Sequence, residues 1–408
     1  MKKKCFLVSI LGIILVMAGF FAGGCWDRQE PENTSFIIGM GFDYDEDKEL
    51  YEAVVQVGDP TGAEEVAGEG GDGVSVLVTS AKGQTPFEAV RNLSVHLPRE
   101  AFFAHNKLLV ISEELAKKGL NPVYDFMSRE RQARLISLPV ILKGEESITN
   151  FFRTEIPMEQ FSAEGLERQI QLSAVERAVF PTRTMMEVLK VEKMNGRDPV
   201  MGTIELGEQE EEDLVGEKEA VRSTFDVQGG GIFKDDKLQG FFDQRQVKGW
   251  NWVMGKVVRA TMVIECPVHD DHYISIEVYD SDSRMGVSFD NDNEDPVINL
   301  RVRADGRIQQ QDSPVFYQRE DEDVRDSLDR RLATAVENEI KSAIEKTKEK
   351  EVDTLGFGNA VYRQAPQKWH ELEDEWQENL DELEVNIDVD ANVRRTGIML
   401  APPGEGEK

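Results

Sequence analysis

The N-terminal segment constrains this chain most, because it decides which part has to fold at all. Lysines at positions 2–4 precede an apolar run from Phe6 to Phe21, the pattern of a signal peptide. The run ends in Ala22-Gly23-Gly24-Cys25, and small residues directly before a cysteine are what a lipoprotein signal peptidase accepts. We therefore expect residues 1–24 to be removed as a signal peptide and the Cys25 thiol to carry a diacylglyceryl anchor.

An uncleaved membrane anchor is the alternative interpretation, since a run of roughly 20 apolar residues can also span a bilayer. The usual cleavage motif has leucine three residues before the cysteine, where this chain has Ala22. Both interpretations predict the same topology, in which everything after Cys25 lies outside the cytoplasm and is tethered to the membrane.

The charge of the chain excludes one class of function. Of 408 residues, 78 are acidic and 47 basic, for a net charge of -31, so no nucleic acid partner is expected, because such affinity comes from Lys and Arg. An acidic protein is also repelled by anionic lipids, and a covalent lipid anchor would overcome that repulsion. Cys266 is the one cysteine beyond the N-terminal segment, so neither a disulfide framework nor a cysteine metal cluster is predicted.

The first half of the body alternates predicted strands with short helices. Strands are predicted at 50–57, 74–79, 104–111 and 135–142, and a capping box at Thr85-Pro86-Phe87-Glu88 opens a helix. Residues 147–194 have a mostly helical pattern that is broken at two prolines. These patterns predict an N-terminal α/β domain over residues 25–145 and a mostly helical middle segment over 146–204.

An acidic stretch follows the middle segment. Glu205 to Glu219 contains eight acidic residues among fifteen, a composition that favours solvation over packing, and we place an acidic linker at 205–219. The next residues predict a hairpin with its turn at Asp235-Asp236. The hairpin opens a C-terminal α/β domain expected over 220–400, with a tail at 401–408.

The C-terminal domain has the clearest periodicity. Leu328, Leu332, Val336, Ile340 and Ile344 recur every four residues, which predicts a helix over about 320–350 that is roughly 45 Å long. A further helix is predicted to present Trp369, Leu372, Trp376 and Leu380 on one side, and alternation from Leu383 to Val393 predicts a final strand. The fold class expected is α+β: a multidomain mixed α/β ectodomain with antiparallel sheets and one long C-terminal-domain helix.

Few residues are candidates for chemistry. Three stretches contain metal-friendly side chains, residues 269–272 (His-Asp-Asp-His), 43–47 and 290–295. A turn explains the first two, and the third is an acidic loop that could hold calcium weakly but has nothing to fix a coordination geometry. A lone His105 before a strand is more often structural than functional. The sequence lacks the motifs of a nucleophile elbow, a phosphate loop or a zinc protease. We predict no catalytic residues, no cofactor and no metal site.

Several motifs together resemble the Ger(x)C family of spore germination lipoproteins. They are Gly-Cys-Trp-Asp-Arg-Gln-Glu at 24–30, Gly-Met-Gly-Phe-Asp at 39–43, the hairpin at 230–240, Asp-Thr-Leu-Gly-Phe-Gly at 353–358 and Arg-Arg-Thr-Gly at 394–397. The resemblance covers nearly the whole chain and implies the lipid-anchored C subunit of a nutrient germinant receptor. It implies a location on the outer face of the inner spore membrane, with an A-type and a B-type polytopic membrane subunit as partners.

Two other functions stay open at this point. A lipoprotein that binds a solute and delivers it to a transporter would need a deep cleft between domains, and the alternating units of such doubly wound binders are not evident. An acidic cell-wall hydrolase would need paired carboxylates, which cannot be picked out in a chain with this many acidic residues.

Overall fold

The computed structural model describes residues 34–59, 75–156, 159–211, 220–289, 295–311 and 322–396. The first part of the chain forms β1 (Thr34–Asp45), β2 (Leu50–Asp59), β3 (Ser75–Gly83), α1 (Pro86–Asn92), β4 (Glu100–Phe102), β5 (Leu108–Ser112), α2 (Glu113–Lys118), α3 (Asn121–Arg129), β6 (Leu138–Leu142), α4 (Ile148–Arg153), α5 (Ser162–Leu172), α6 (Met185–Glu192), β7 (Val200–Glu211), β8 (Ala220–Lys234) and β9 (Lys237–Phe242). The second part forms α7 (Gln244–Val253), β10 (Ala260–Glu265), β11 (Tyr273–Phe289), β12 (Pro296–Gln311), α8 (Glu322–Glu349), α9 (Phe357–Gln364), α10 (Pro366–Leu372) and β13 (Glu384–Thr396).

The first domain is a sheet with helices on both faces. Its strand order is β3-β2-β1-β5-β6-β7-β8-β9, with β4 paired to β1. The central strands β1, β5, β6 and β7 are parallel, whereas the outer pairs are antiparallel. Helices α1, α2, α3 and α6 contribute to the core on one face and α4 and α5 to the core on the other. Strands β5 and β6 are covered on both faces; all five residues of each are buried, and all except Ser112 are apolar.

The second domain is a smaller sheet covered by helices α7 and α8, of which α8 is the longest of the described helices. Its order is β10-β11-β12-β13, in which β13 runs parallel to β12 and the other pairs are antiparallel. The apolar residues that recur every four positions along α8 are buried, and they pack with α7 and the sheet in one core. The two helices cross closely at Gly249, where an added Cβ would overlap the carbonyl oxygen of Glu339.

The α+β class predicted from the sequence is confirmed, and the long helix lies where its periodicity placed it. Three details differ. The parallel centre of the first sheet was not predicted, and β5 and β6 begin at Leu108 and Leu138, later than the apolar pattern indicated. Helix α10 ends at Leu372 and the chain continues in turns, so Trp376 and Leu380 do not belong to it. Both are nevertheless buried, because the turns fold the segment back onto the same core.

The region assigned to an acidic linker contains strand. Residues 205–211 belong to β7 and pair with residues 220–226 of β8, and residues 212–219 lie outside the described residues. The hairpin β8–β9 therefore completes the first sheet, whereas its sequence pattern predicted it at the start of the C-terminal domain. Polar side chains are compatible with this pairing, because an antiparallel pair can have one face in contact with solvent.

None of the helices in the described part of the chain has the length and apolarity needed to cross a bilayer.

Candidate functional site

The residues singled out from the sequence lie apart from one another. Cys25 and residues 290–294 lie outside the described residues. Asp45 ends β1 in a hairpin turn, where its carboxylate accepts a hydrogen bond from Lys82 Nζ at 2.6 Å. His105 lies in a short 3-10 turn before β5, with its ring centroid 5.2 Å from that of Phe36. His269 and His272 flank a turn, and their ring centroids are 5.8 Å apart.

The buried polar cluster that joins the two domains is a different set, centred on Asp353. This residue follows α8 and has no solvent exposure. Its Oδ1 accepts hydrogen bonds from the backbone N–H groups of Gly356 (2.7 Å) and Phe357 (3.0 Å). Its Oδ2 accepts from the Gly358 N–H (2.7 Å) and from Trp376 Nε1 (3.0 Å). The side chain thus holds the whole loop that opens α9.

The glycine in this loop has a geometric reason. Gly356 has φ +75°, in the left-handed region that side chains disfavour, and an added Cβ would lie 2.9 Å from Cδ of Arg197. The left-handed residue turns the following N–H groups inward, toward the carboxylate. In the sequence Asp-x-x-Gly-Phe-Gly, one carboxylate therefore accepts the hydrogen bonds of backbone N–H groups that have no partner within the first turn of α9.

Asp198, just before β7, connects this loop to the first domain. Its Oδ2 accepts hydrogen bonds from the Asp353 N–H (3.0 Å) and from Gln377 Nε2 (3.3 Å). Its Oδ1 lies 3.3 Å from the N–H of Asp235, in the turn between β8 and β9. The backbone N–H of Asp198 donates to the carbonyl of Asp353 at 2.8 Å. We call Asp198, Asp353, Trp376 and Gln377 the carboxylate junction.

Burial dominates the electrostatics of the junction. Burial raises the pKa of Asp198 to about 6, the Asp235 N–H lowers it, and the neighbouring Asp353 carboxylate raises it. Burial also raises the pKa of Asp353, against the lowering effect of the N–H groups of Gly358 and Phe357. Arg197 lies beside the pair, and its pKa is lowered by burial. Two buried carboxylates close together each disfavour the charged form of the other.

The space next to the junction is small. A cavity of about 110 Å³ is lined by Arg197, Asp198, Asp235, Asp353 and Gln377. That volume is well below the roughly 300–1,000 Å³ of ligand sites and suits a few waters. Because each carboxylate oxygen already accepts protein hydrogen bonds, the arrangement is that of a structural joint between domains.

The pKa of Asp198 gives a testable pH dependence. The folded state holds this proton up to about pH 6, whereas an unfolded aspartate releases it near 3.8. The contribution to the free energy of unfolding is therefore full below pH 4 and is lost as the pH rises through 6, by about 3 kcal/mol. Asp198→Asn cannot ionise, so we expect its free energy of unfolding to rise relative to that of the wild type by about this amount between pH 4 and 7, on top of a constant cost for replacing one acceptor oxygen by an NH2 group.

Urea unfolding at several pH values measures this difference, and Asp374→Asn, an exposed carboxylate in the same region, is the control for net charge. Parallel stability curves of wild type and Asp198→Asn across the range would contradict the assignment.

Sequence reasoning missed the junction. Asp353 was noted as part of a motif but given no role, and Asp198 carries no local signal apart from the proline that follows it. Trp369 and Trp376 were predicted to lie on the same side of one helix; only Trp369 lies in α10, but both are buried and their ring centroids are 5.4 Å apart. The usable signal was an aspartate directly after a long helix and three residues before Gly-Phe-Gly.

The fold and the junction define a two-domain α+β protein whose domains are fastened by a buried, hydrogen-bonded joint. The comparisons with known proteins also divide the chain into two parts, but their boundary falls before the β8–β9 hairpin, which belongs to the first sheet. The family model described as "Spore germination protein N-terminal domain" matches residues 27–206, and the one described as "Spore germination B3/GerAC like, C-terminal" matches residues 228–397. The chain belongs to the Ger(x)C family of spore germination proteins.

Similar proteins span the same length. Spore germination protein KC of Bacillus subtilis (strain 168) is 25% identical, over 98% of both chains. Spore germination protein B3 of the same organism is 23% identical, over 92% of this chain and 94% of that protein. The crystal structure of the GerBC protein has the same fold, with a TM-score of 0.53 at 17% identity over 87% of this chain and 96% of that chain.

Proposed function

We propose that this protein is the lipid-anchored C subunit of a nutrient germinant receptor, acting in spore germination together with an A-type and a B-type polytopic membrane subunit. The observation that carries the proposal is the succession of two germination-family matches, which begin two residues after Cys25 and continue to residue 397. Full-length relatives named as spore germination proteins support it.

The proposed role is non-catalytic, and the junction supports this. Asp353 is the most buried carboxylate at the contact between the domains, and its two oxygens accept four hydrogen bonds from the protein itself. A general acid or base has to reach its substrate, which a carboxylate in this position does not. The two domains are thus better suited to present a rigid surface to other subunits.

The anchor is proposed at Cys25, which lies nine residues before the first described residue, Thr34. A fully extended segment of that length spans about 30 Å. Thr34 begins β1 in the first sheet, so the first domain would stay close to the outer face of the membrane. Tethering raises the effective concentration of the ectodomain near membrane subunits, which favours weak contacts.

We expect Cys25→Ala to leave a folded but mislocalised protein and to impair germination, because two acyl chains supply the attachment. Cell fractionation with immunoblotting and a germination assay measure the two effects. The control is Cys266→Ala, which removes the buried cysteine of the second domain. Membrane retention with normal germination in Cys25→Ala would contradict the anchor and its role.

A pulldown from solubilised spore membranes, with mass spectrometry of the N-terminal peptide, tests the assembly. A diacylated Cys25 recovered with two polytopic membrane proteins is the expected result. Recovery with transporter components would favour a solute-binding lipoprotein instead, and a peptide that begins at Met1 would show an uncleaved anchor.

A further inference from the structure

The open edge of the second sheet lies at β10. The strand order ends there, and among the described residues β10 pairs only with β11. Its residues alternate strictly between buried and exposed, and Val263 in the middle of the strand is 59% exposed. An unpaired edge offers a row of backbone donors and acceptors to another chain, and proteins usually shield such edges.

Two hydrogen bonds show which backbone groups face outward. The N–H of Cys266, directly after β10, donates to the carbonyl of His272 on the β11 side at 2.8 Å. Backbone groups alternate sides along a strand, so those of Thr261, Val263 and Glu265 point away from β11. In agreement with this, Lys248 Nζ of α7 donates to the Thr261 carbonyl at 3.3 Å. We call the backbone groups of these three residues the outward row. The same three residues carry the exposed side chains of β10.

A groove runs along this edge, between β10 and α8. It has a volume of about 470 Å³, and the residues that matter for recognition are Val263, Ile264, Arg330, Arg331, Ala335 and Asn338. Glu265 lies beside Arg331, whereas the Thr261 end lies beside the later turns of α8, so the strand and the helix run in opposite directions. The stretch of α8 from Ser327 to Asn338 is about 17 Å long, enough to flank a strand of about five residues.

The helix side of the groove is basic in a strongly acidic chain. Arg330 is exposed and forms no ion pair with the described residues, and Arg331 lies 3.5 Å from Glu265. At the other end, Arg245 Nη2 donates to the Asn338 carbonyl at 3.4 Å, and Lys248 pairs with the largely buried Glu339. Four cationic side chains thus lie along the groove beside two carboxylates, those of Glu265 and Glu339.

We propose that the groove between β10 and α8 binds an extended acidic segment of a partner protein, which adds to β10 as a further strand. Main-chain hydrogen bonds to the outward row would supply affinity, and alternate side chains would supply specificity. Acidic side chains would approach Arg330 and Arg331, and the apolar ones would contact Val263 and Ala335. A second copy of β10 fits less well, because antiparallel pairing would bring the arginine end of one groove beside Lys248 of the other. The inference does not depend on the lipid anchor.

The test uses the complete lipoprotein in detergent and a short fluorescent peptide in which glutamate and valine alternate. We expect the peptide to bind, with a dissociation constant that rises at least about tenfold in Arg330→Glu/Arg331→Glu, because like charges across a contact are strongly unfavourable. The matched control is Arg129→Glu/Arg284→Glu, which reverses two exposed arginines elsewhere and should change binding less than about twofold.

Two further measurements separate strand addition from simple charge attraction. A peptide with alternate backbone nitrogens methylated keeps its charge but loses half of its donors, and it should bind at least about tenfold more weakly. On binding, the amides of Val263 and Glu265 should gain protection from hydrogen exchange. No binding of the glutamate peptide, equal binding of a lysine peptide, or equal binding of the methylated peptide would each overturn the proposal.

Discussion

Asp353→Ala is expected to lower the free energy of unfolding by about 3–5 kcal/mol, a large share of the roughly 5–15 kcal/mol of a typical domain. The substitution leaves three backbone N–H groups and Trp376 Nε1 without their acceptor in a fully buried site. Each unsatisfied group costs about 1–3 kcal/mol. Removing the buried charge offsets part of this loss, which is why the simple sum is not expected.

Chemical denaturation followed by tryptophan fluorescence measures the effect, since Trp376 is itself part of the junction. Asp381→Ala, an exposed aspartate near the end of the same segment, controls for the loss of one negative charge and should change stability by less than about 0.5 kcal/mol. The double variant Asp353→Ala/Trp376→Phe should be less destabilised than the sum of its single variants, because both remove the same hydrogen bond. A loss below about 1 kcal/mol for Asp353→Ala would contradict the importance assigned to the junction.

Gly249→Ala is expected to destabilise the second domain by about 2–4 kcal/mol, although alanine is the better helix former by about 1 kcal/mol. The reason is steric. An added methyl group would overlap the backbone carbonyl of Glu339 in α8, and a backbone atom cannot rotate away as a side chain can. Helices α7 and α8 would have to separate along a contact that includes buried Trp250 and Val247.

Thermal and urea unfolding measure this second effect, and Gly165→Ala is its matched control. Gly165 also lies within a helix, α5, but the atoms nearest its Cβ would be side-chain atoms, Cδ1 and Cγ2 of Ile156 at 3.0 Å and Cβ of Glu159 at 3.2 Å, rather than backbone atoms. We expect a change within about 1 kcal/mol there. A gain in stability for Gly249→Ala would show that the two helices are not packed as closely as described.

Much of the local structure could be predicted because its causes are local. The four-residue periodicity from Leu328 to Ile344 fixed α8, since one face of a helix repeats at that spacing. The capping hydrogen bond from the Glu88 N–H to Thr85 Oγ1, at 3.1 Å, follows from four adjacent residues. Pairing across a sheet has no such signal, and the sequence therefore did not reveal that β8 and β9 complete the first sheet.

The carboxylate junction depends even more strongly on contacts between residues that are distant in the chain. Residues 353–358 were recognised as a motif, but the partners of Asp353 and Asp198 are separated by up to 179 positions in the chain, the distance from Asp198 to Gln377. Burial raises the pKa of Asp198 only because three segments close over it. The groove beside β10 likewise requires α8 to lie along that edge, and the periodicity of α8 says nothing about which edge it follows.

By itself, the sequence determined the α+β class, the helices and strands with strong periodicity, and the family, because these depend on neighbouring residues and on motifs. It also predicted the lipid attachment at Cys25, which lies outside the described residues and stays a prediction. The tertiary structure alone decided the parallel centre of the first sheet, the carboxylate junction and the basic groove. Each of these brings together groups that are distant in the chain, and only the packing of whole elements places them within hydrogen-bonding distance.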